Sequence, residues 1–254
     1  CMAMQDAAFQ ALAAQIRGPD ARRLPISAFV PAYRDVSAQR RRVIERTAAV
    51  FATRLAKLIQ VGGRHDLLNE LERTTDARAR RELRGRRTFD GRVWDDVRGI
   101  GGLRAATGIE ALDEAACFGF DTFAHEVAHQ VHFFTFSPLE RARLRALYKQ
   151  AVREQRCLDY YAASNEAEYF GQGVEAFVSL AKRPGSEVTH GHTRWELQRV
   201  DPKLYSFIAG LVDFEIKTVA IAVTSRYHDS FKLLNSQDRH LDHSFCTTYC
   251  TIEW

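Results

Sequence analysis

The stretch FAHEVAHQVH, residues 123–132, constrains the fold of this chain most, because it places three of the nine histidines within eight positions of otherwise mainly apolar sequence. On an α-helix, side chains four residues apart lie on one face, with about 6 Å between their Cβ atoms. His125 and His129 would then point to the same side, with Glu126 rotated by about 100°. We predict a buried helix over about residues 121–134. Its packing residues are Phe123, Val127, Val131 and Phe134.

The two histidines and the glutamate have the spacing of the H-E-x-x-H motif, in which the histidines bind zinc and the glutamate acts as a general base. We therefore predict one Zn²⁺ bound by His125 and His129, with Glu126 as the base. The alternative is a pair of core histidines that are hydrogen-bonded to carbonyl groups, because a five-residue pattern also arises by chance.

A third protein ligand is needed for such a zinc site. The class with a third histidine, H-E-x-x-H-x-x-G-x-x-H, is excluded, because this chain has His132 where that class has glycine and Thr135 where it has histidine. His132 lies on the same helix face as His125. It is therefore either an outer-shell partner of the ligands or, more simply, a core or surface histidine.

A carboxylate ligand is available downstream, in YYAASNEAEYFGQGVEAFVSL, residues 160–180. We predict a helix that opens near Asn165 and carries Glu168, Gln172 and Glu175 on one polar face. Glu168 is the candidate third ligand. Alternatively, its carboxylate closes a variant capping box with Asn165 and bonds a backbone N–H instead of a metal.

Two glycines inside this predicted helix, Gly171 and Gly173, each cost about 1 kcal/mol relative to alanine. We therefore expect another backbone to approach closely there, and the histidine helix is the expected neighbour. The polar residues around the site are candidates for outer-shell contacts. They are His132, Asn165, Gln172 and Glu175.

The segment HEVAH, followed 39 positions after His129 by Glu168 within YAASNEAEYFGQGVEAF, resembles the anthrax lethal factor-like family of gluzincin zinc metalloendopeptidases. WDDVRGIGG before the motif and DPKLYSFI after it are also similar to this family. The resemblance covers about residues 94–214. It implies a protein or peptide substrate and a secreted protein.

Carried over by position, the resemblance implies that Glu126 is the general base and that Tyr161, rather than the adjacent Tyr160, is an active-site tyrosine. One departure is Gln172, where members of the family often have glutamate. Another is the length of the chain, which leaves no room for the long substrate-groove domains of lethal factor. The zinc ligands that the resemblance implies are His125, His129 and Glu168.

For the whole chain we expect an α+β, mostly helical fold: a zincin-like metalloprotease domain with a small sheet and a two-helix zinc site. The N-terminal helical region, residues 1–88, would pack on the catalytic core. The zincin-like metallopeptidase domain would cover residues 89–215, and a C-terminal extension residues 216–254.

Helix boundaries are predicted from capping residues and glycines. We expect helices over residues 2–17 and 37–59, a capping box at Ser137 and a helix start at Asp201-Pro202. Between residues 89 and 119 the chain is rich in glycine, which favours turns and short strands. Residues 97–103 form either a strand edge that pairs with an extended substrate or a plain glycine turn.

The formal net charge is +4, and residues 71–92, with eight arginines and four acidic residues, account for as much by themselves. A solvated helix face is favoured there, which argues against a nucleic-acid partner. The most apolar long stretch, residues 204–223, contains Asp213, Glu215 and Lys217. These charges argue against a membrane span.

The end of the chain, RHLDHSFCTTYC, contains four residues that can bind metal. We expect a loosely docked segment there; the alternatives are a second metal site or a disulfide between its cysteines. The chain begins with Cys1, so we expect the native N-terminus to lie outside this sequence. The alternative function is a non-catalytic, zinc-stabilised binding or toxin module, against which Glu126 argues. The four residues of RHLDHSFCTTYC that can bind metal are His240, His243, Cys246 and Cys250.

Overall fold

The fold is built from helices around one small sheet, in a computed structural model that describes residues 25–88, 90–116, 120–179 and 191–212. Short 3₁₀ helices span Pro31–Arg34 and Arg78–Leu83. The strands are β1 (Arg64–Leu68), β2 (Gly99–Ile100) and β3 (Arg104–Gly108). The helices are α1 (Ile26–Phe29), α2 (Ala38–Val50), α3 (Ala52–Gln60), α4 (Glu110–Ala116), α5 (Thr122–Thr135), α6 (Pro138–Arg153), α7 (Glu166–Val178), α8 (Arg194–Val200) and α9 (Pro202–Leu211).

The sheet has the strand order β1-β3-β2. β1 is parallel to β3, with Arg64 opposite Arg104, and β2 is antiparallel to β3, with Ile100 opposite Ala106. β2 therefore lies at an edge, as expected if residues 97–103 contain a strand rather than only a turn. Because β1 comes from the predicted N-terminal helical region, the sheet joins that region to the predicted metallopeptidase domain. The division into regions itself stays a prediction.

The histidine helix, α5, is buried along nearly its whole length. Its first turn is capped by Asp121, whose carboxylate accepts a hydrogen bond from the backbone of Ala124 at 2.9 Å. A capped N-terminus satisfies a backbone donor that would otherwise lie buried without a partner. α5 packs against α7 on one side and against α3 and β3 on others. This environment explains why most of its residues outside the motif are apolar.

A buried polar network joins α5 to the sheet. The ring of His65 on β1 contacts Gln130 Oε1 at 3.1 Å through Nδ1 and Thr107 Oγ1 at 2.8 Å through Nε2. Gln130 donates in turn to the carbonyl groups of Arg64 at 3.1 Å and Leu103 at 3.2 Å. Burial lowers the pKa of His65 to about 4, so the ring is neutral in the folded protein at neutral pH.

The predicted helix over residues 37–59 is divided in two. Its start is confirmed, because the Ser37 side chain caps α2. Phe51 then leaves the helical conformation, with φ −115° and ψ 26°, and separates α2 from α3. With this break, Phe51, Leu55 and Leu58 are all buried in the core. Tertiary burial thus overrides a local pattern that is compatible with one continuous helix.

The helix starts predicted at Ser137 and at Asp201 are confirmed. Ser137 and Glu140 form a reciprocal capping box at the start of α6, with proline at the first helical position. Asp201 caps α9 by accepting a hydrogen bond from Leu204 N at 3.1 Å. The same carboxylate accepts from Tyr169 Oη at 2.6 Å, which ties α9 to α7. The predicted helix over residues 2–17 lies outside the described residues.

The arginine-rich segment is not the solvated helix face that its composition predicts. Only residues 78–83 are helical, as a 3₁₀ helix, and Arg80 is 3% exposed. Its guanidinium donates to Asp66 Oδ2 at 3.0 Å and to the carbonyl group of Thr74 at 2.9 Å. A buried arginine is tolerated because it is paired and hydrogen-bonded. Part of the positive charge of residues 71–92 therefore stabilises the fold.

None of the helices in the described part of the chain is long and apolar enough to cross a membrane. The apolar stretch over residues 204–223 is described only as far as Val212, and α9 ends at Leu211. The predicted C-terminal extension, residues 216–254, lies outside the described residues, together with the four metal-binding side chains of the predicted tail.

Candidate metal centre

Three side chains from two helices converge on one point. α5 contributes His125 and His129, and α7 contributes Glu168. Nε2 of His125 lies 2.9 Å from Oε2 of Glu168 and 3.0 Å from Nε2 of His129. Nε2 of His129 is 3.5 Å from the same carboxylate oxygen. All three side chains are largely buried, with exposed fractions of 5%, 9% and 13%.

This group of atoms fits a zinc ion. Zinc binds histidine nitrogen and carboxylate oxygen at about 2.0–2.2 Å, which places tetrahedral ligand atoms about 3.3 Å apart. The three separations, 2.9, 3.0 and 3.5 Å, lie close to that value. The Nε2 atoms of the two rings face each other at 3.0 Å and both face the Glu168 carboxylate, so a single cation could be bound by all three groups. The residues therefore fit the metal that the motif predicts.

Glu168 and the two histidines attract each other electrostatically. Burial opposes ionisation of Glu168, but its contacts with His125 and His129 outweigh burial and lower its pKa well below the usual range. For His129, burial favours the neutral ring, but the contact with Glu168 outweighs it and raises the pKa. The pair of shifts means that the carboxylate attracts positive charge to this point, which is the property that a cation site requires.

Glu168 is directed to the histidines and is not used as a helix cap. The cap of α7 is the Asn165 side chain, whose Oδ1 accepts hydrogen bonds from Ala167 N and Glu168 N, both at 3.0 Å. This arrangement leaves the Glu168 carboxylate available for the contacts with the two rings. The predicted alternative, in which Glu168 itself closes a capping box, is therefore wrong, and the Asn165 cap holds the backbone of Glu168 in place.

Gly171 provides the space that the ring of His125 occupies. A Cβ atom at this position would lie 2.8 Å from Cε1 and 2.9 Å from Nε2 of His125. The histidine helix is the neighbour that the sequence predicts, but the prediction of a close backbone was wrong, because the atoms that approach Gly171 belong to a side chain. Gly173 instead faces Leu204 and Ile208 of α9, where a Cβ would meet side-chain atoms at 2.6 and 3.0 Å. For Gly173 the histidine helix was the wrong neighbour, because α7 packs α5 and α9 on different faces.

Glu126 lies beside the cluster with 8% of its surface exposed. Burial raises its pKa to about 7, an effect that the charge of Glu168 strengthens and His129 weakens. Gly99 and Gly101 make room for its carboxylate, because a Cβ at these positions would lie 2.8 Å from Oε1 and 3.3 Å from Oε2. The sequence predicts a strand or a turn over residues 97–103 but gives no connection between these glycines and Glu126. Their clustering in GIGG was the available signal.

Glu126 opens onto a cleft of about 630 Å³. Tyr161 lies on its wall with its ring centroid 6.2 Å from that of His125. Burial raises the Tyr161 pKa above its usual range, so the hydroxyl stays protonated at neutral pH. Tyr160 is 70% exposed. The lining residues are Asp90, Arg92, Val97, Arg98, Gly99, Phe120, Thr122, His125, Glu126, Tyr160, Tyr161, Ser164 and Gln172.

His132 is buried among aromatic rings, 5.4 Å from the Phe136 ring centroid and 5.9 Å from that of Phe170. Its Nε2 lies 3.4 Å from Oε1 of Glu166, at the start of α7. Burial lowers the pKa of His132 to about 4. The contacts that the structure describes are those of a core histidine, and a role as outer-shell partner stays a prediction.

The two remaining candidates, Gln172 and Glu175, are both fully buried on the face of α7 that carries Glu168. Gln172 lines the cleft and lies one turn after Glu168. Glu175 lies a further turn away, where burial and then the charge of Asp121 raise its pKa well above the usual range. The shared polar face that the spacing predicts is present, but of its three residues only Glu168 joins the metal cluster.

Comparison with known proteins identifies a similar fold. No protein-family model matches this sequence, and no curated protein matches it. Among solved structures, the Pro-Pro endopeptidase PPEP-2 from Paenibacillus alvei is similar, with a TM-score of 0.51 and 19% sequence identity over 68% of this chain and 91% of that one. At this identity the likeness shows the fold alone.

The predicted fold class is confirmed. The part of the chain that the structure describes is mostly helical with a three-stranded sheet, and a His/His/Glu group bridges two of its helices. The fold is similar to that of the Pro-Pro endopeptidase.

Proposed function

We propose that this chain is a zinc-dependent metalloendopeptidase. The observation that supports this most is the convergence of His125, His129 and Glu168 next to a cleft that His125 and the buried carboxylate of Glu126 line. Structural zinc sites are closed by four protein ligands, whereas catalytic sites keep one position for water or substrate. Within the described residues this group has three members, which favours the catalytic type.

The ion would be held by the Nε2 atoms of His125 and His129 and by Glu168. When bound, zinc supplies a Lewis acid that polarises the scissile carbonyl group and lowers the pKa of water. The burial of the three ligands restricts their rotation, and Gly171 and the Asn165 cap hold two of them in place. A site assembled on two packed helices keeps its geometry better than one on loops.

Glu126 is the proposed general base. It would take a proton from the attacking water and pass it to the leaving amine. Proton transfer in both directions is most effective when the pKa of the group lies near the working pH. In the metal-free protein burial raises the pKa of Glu126 to about 7. A bound cation would lower this pKa and favour the ionised carboxylate, which is the form that accepts the proton. The glycines at 99 and 101 leave space for the carboxylate to reach the reacting atoms.

Tyr161 is the proposed hydrogen-bond donor to the oxyanion that forms when the carbonyl group is attacked. Its protonated hydroxyl and its position on the cleft wall beside His125 support this role. Donors of this kind typically stabilise the transition state by about 3 kcal/mol. Tyr160, which is far more exposed, is the less suitable of the two.

The substrate is proposed to be an extended protein or peptide segment. Among the described strands β2 pairs only with β3, and Gly99 of β2 lines the cleft. An extended segment can add to such an edge by main-chain hydrogen bonds. We further propose membership of the lethal factor-like gluzincins, supported by the order of the ligand residues in the chain. Secretion rests on the resemblance alone.

The competing function is a non-catalytic module in which zinc only stabilises the fold. Metal content and peptide cleavage, measured together on the wild-type protein, Glu126→Ala and Glu168→Ala, separate the two. If the protein is a protease, we expect the wild type to bind about one zinc and cleave peptides. Glu126→Ala should then bind zinc without cleaving, and Glu168→Ala should lose the metal. Zinc without cleavage in the wild type would favour the module. A wild-type protein without zinc after metal-supplemented purification would exclude both.

A further inference from the structure

We propose that Arg92 makes the cleft select peptides that carry a carboxylate close to the scissile bond. This inference rests on the proposed peptidase function and names the substrate class of the same site. In the sequence, Arg92 is one of eight arginines in the basic segment over residues 71–92. Its position in the fold distinguishes it from the others.

A short hairpin places Arg92 at the cleft. Arg87 and Val93 form an antiparallel bridge, and Trp94 N donates to the carbonyl group of Arg86 at 2.9 Å. At the turn, Thr88 N donates to the Arg92 carbonyl group at 2.8 Å. Gly91, with φ +86°, allows the chain to reverse there. Because its backbone is fixed by these bonds, Arg92 is held at the cleft wall that also carries Glu126.

The Arg92 guanidinium has hydrogen-bond donors that its ion pair with Asp90 does not use. Its side chain is 56% exposed, and its Nε donates to Asp90 Oδ2 at 2.8 Å. Within the described part of the chain, its two terminal amino groups have no acceptor. Arg98, the other cationic residue of the lining, is engaged instead: Nε and Nη2 contact the Glu110 carboxylate at 2.7 and 2.9 Å, and Nη1 donates to the Glu72 carbonyl group.

The ion pair with Asp90 leaves Arg92 able to bind a second carboxylate. Exposed ion pairs contribute little net free energy because water screens them. Asp90 also accepts a hydrogen bond from the Thr88 hydroxyl, so its carboxylate is shared. The unused edge of the guanidinium presents two parallel N–H donors, the arrangement that binds a carboxylate in bidentate fashion. That carboxylate can come from an Asp or Glu side chain or from the C-terminus of the peptide.

The test uses matched fluorogenic peptides cut at one bond. Each flanking position carries Glu, Gln or Lys in turn, and a further pair ends in a free or an amidated C-terminus close to the cut. We expect kcat/KM to favour Glu over Lys by about tenfold or more at one position, and Arg92→Glu to reverse the preference. The C-terminal pair shows whether an internal or a terminal carboxylate is recognised. Arg86→Glu, on the same hairpin but outside the cleft lining, should leave the ratios unchanged.

Binding provides a readout that does not need turnover. Fluorescence anisotropy with labelled Glu and Lys peptides on Glu126→Gln, with and without Arg92→Glu, should show the same preference and the same reversal. If no peptide is cut by zinc-loaded wild-type protein, the proposed function fails. The anisotropy result then still tests whether Arg92 recognises a carboxylate. If peptides are cut with no preference for a carboxylate, or if Arg92→Glu and Arg92→Gln leave the preference intact, the role of Arg92 is wrong while the peptidase stands.

Discussion

Nε2 of His125 lies 2.9 Å from Oε2 of Glu168, although the two residues are 43 positions apart in the chain. The contact joins α5 to α7 and brings the three candidate zinc ligands together. Both side chains are largely buried, so removing one partner leaves the other in a poorly solvated place. The predictions below follow from this contact and from the residues that support it.

Glu168→Gln should lose zinc while Glu166→Gln keeps it. Glu168 contacts both histidines, whereas Glu166, two residues earlier, contacts His132 and Arg145 instead. Replacing a ligand should weaken zinc binding by more than the roughly 10- to 100-fold that loss of an outer-shell partner costs. Competition with a chromophoric chelator measures both affinities. Equal zinc affinity in the two variants would contradict the ligand assignment.

Glu126→Gln should hold zinc and lose most of its activity. The amide keeps the size of the side chain but has no site for the transferred proton, so kcat should fall by about 10²- to 10⁴-fold. Steady-state kinetics on metal-loaded protein measures this effect. Glu114→Gln, an exposed carboxylate of α4 outside the cleft lining, is the control and should retain activity. An active Glu126→Gln protein would remove Glu126 from the mechanism.

Tyr161→Phe should lower kcat by about 10²-fold or more with zinc content unchanged, because it removes a donor to the developing oxyanion. The substitution keeps the ring that packs near His125. Tyr160→Phe, in the neighbouring and 70% exposed position, should have a much smaller effect. Kinetics and elemental analysis on the same samples check this pair. Similar losses in both variants would show that Tyr161 has no special part in the reaction.

Gly171→Ala should weaken zinc binding even though alanine is the better helix former. The new Cβ would lie within 2.8–3.1 Å of the His125 ring, so the ring must move. Gly210→Ala is the matched control: Gly210 also lies in a helix, with nothing within 4 Å of the added Cβ. Helix propensity should stabilise Gly210→Ala by about 1 kcal/mol. Denaturation midpoints and zinc titration distinguish the variants, and normal zinc affinity in Gly171→Ala would refute the packing argument.

His65 should make the zinc-free protein less stable in acid. Its pKa is about 4 in the folded state and 6.5 in the unfolded state, so below pH 6.5 the unfolded chain binds the extra proton. The stability is fully present above pH 6.5 and decreases as the pH falls toward 4, by up to about 3 kcal/mol. Urea unfolding of wild-type protein and His65→Gln from pH 4.5 to 7.5 measures it. The difference between the two proteins should shrink toward low pH; a constant difference would exclude this linkage.

The parts of the fold that the sequence predicts well depend on interactions within a few residues. Helix starts at Ser37, Ser137 and Asp201 follow from side chains that cap the backbone two or three positions later. The break at Phe51 did not follow, because it depends on burial against distant residues. The burial of Arg80 was missed for the same reason: its partner Asp66 is 14 positions away and Arg104 is 24.

By itself, the sequence determined that His125 and His129 share one face of a helix, since the helical period alone sets this. It also singled out Glu168 and Gly171, through spacing and through the cost of glycine in a helix. Only the tertiary structure decided that Glu168 meets the histidines and does not cap its own helix, and that one hairpin brings Arg92 to the cleft. The physical reason is that helix geometry and capping act over a turn or two, whereas these contacts depend on how separate elements pack.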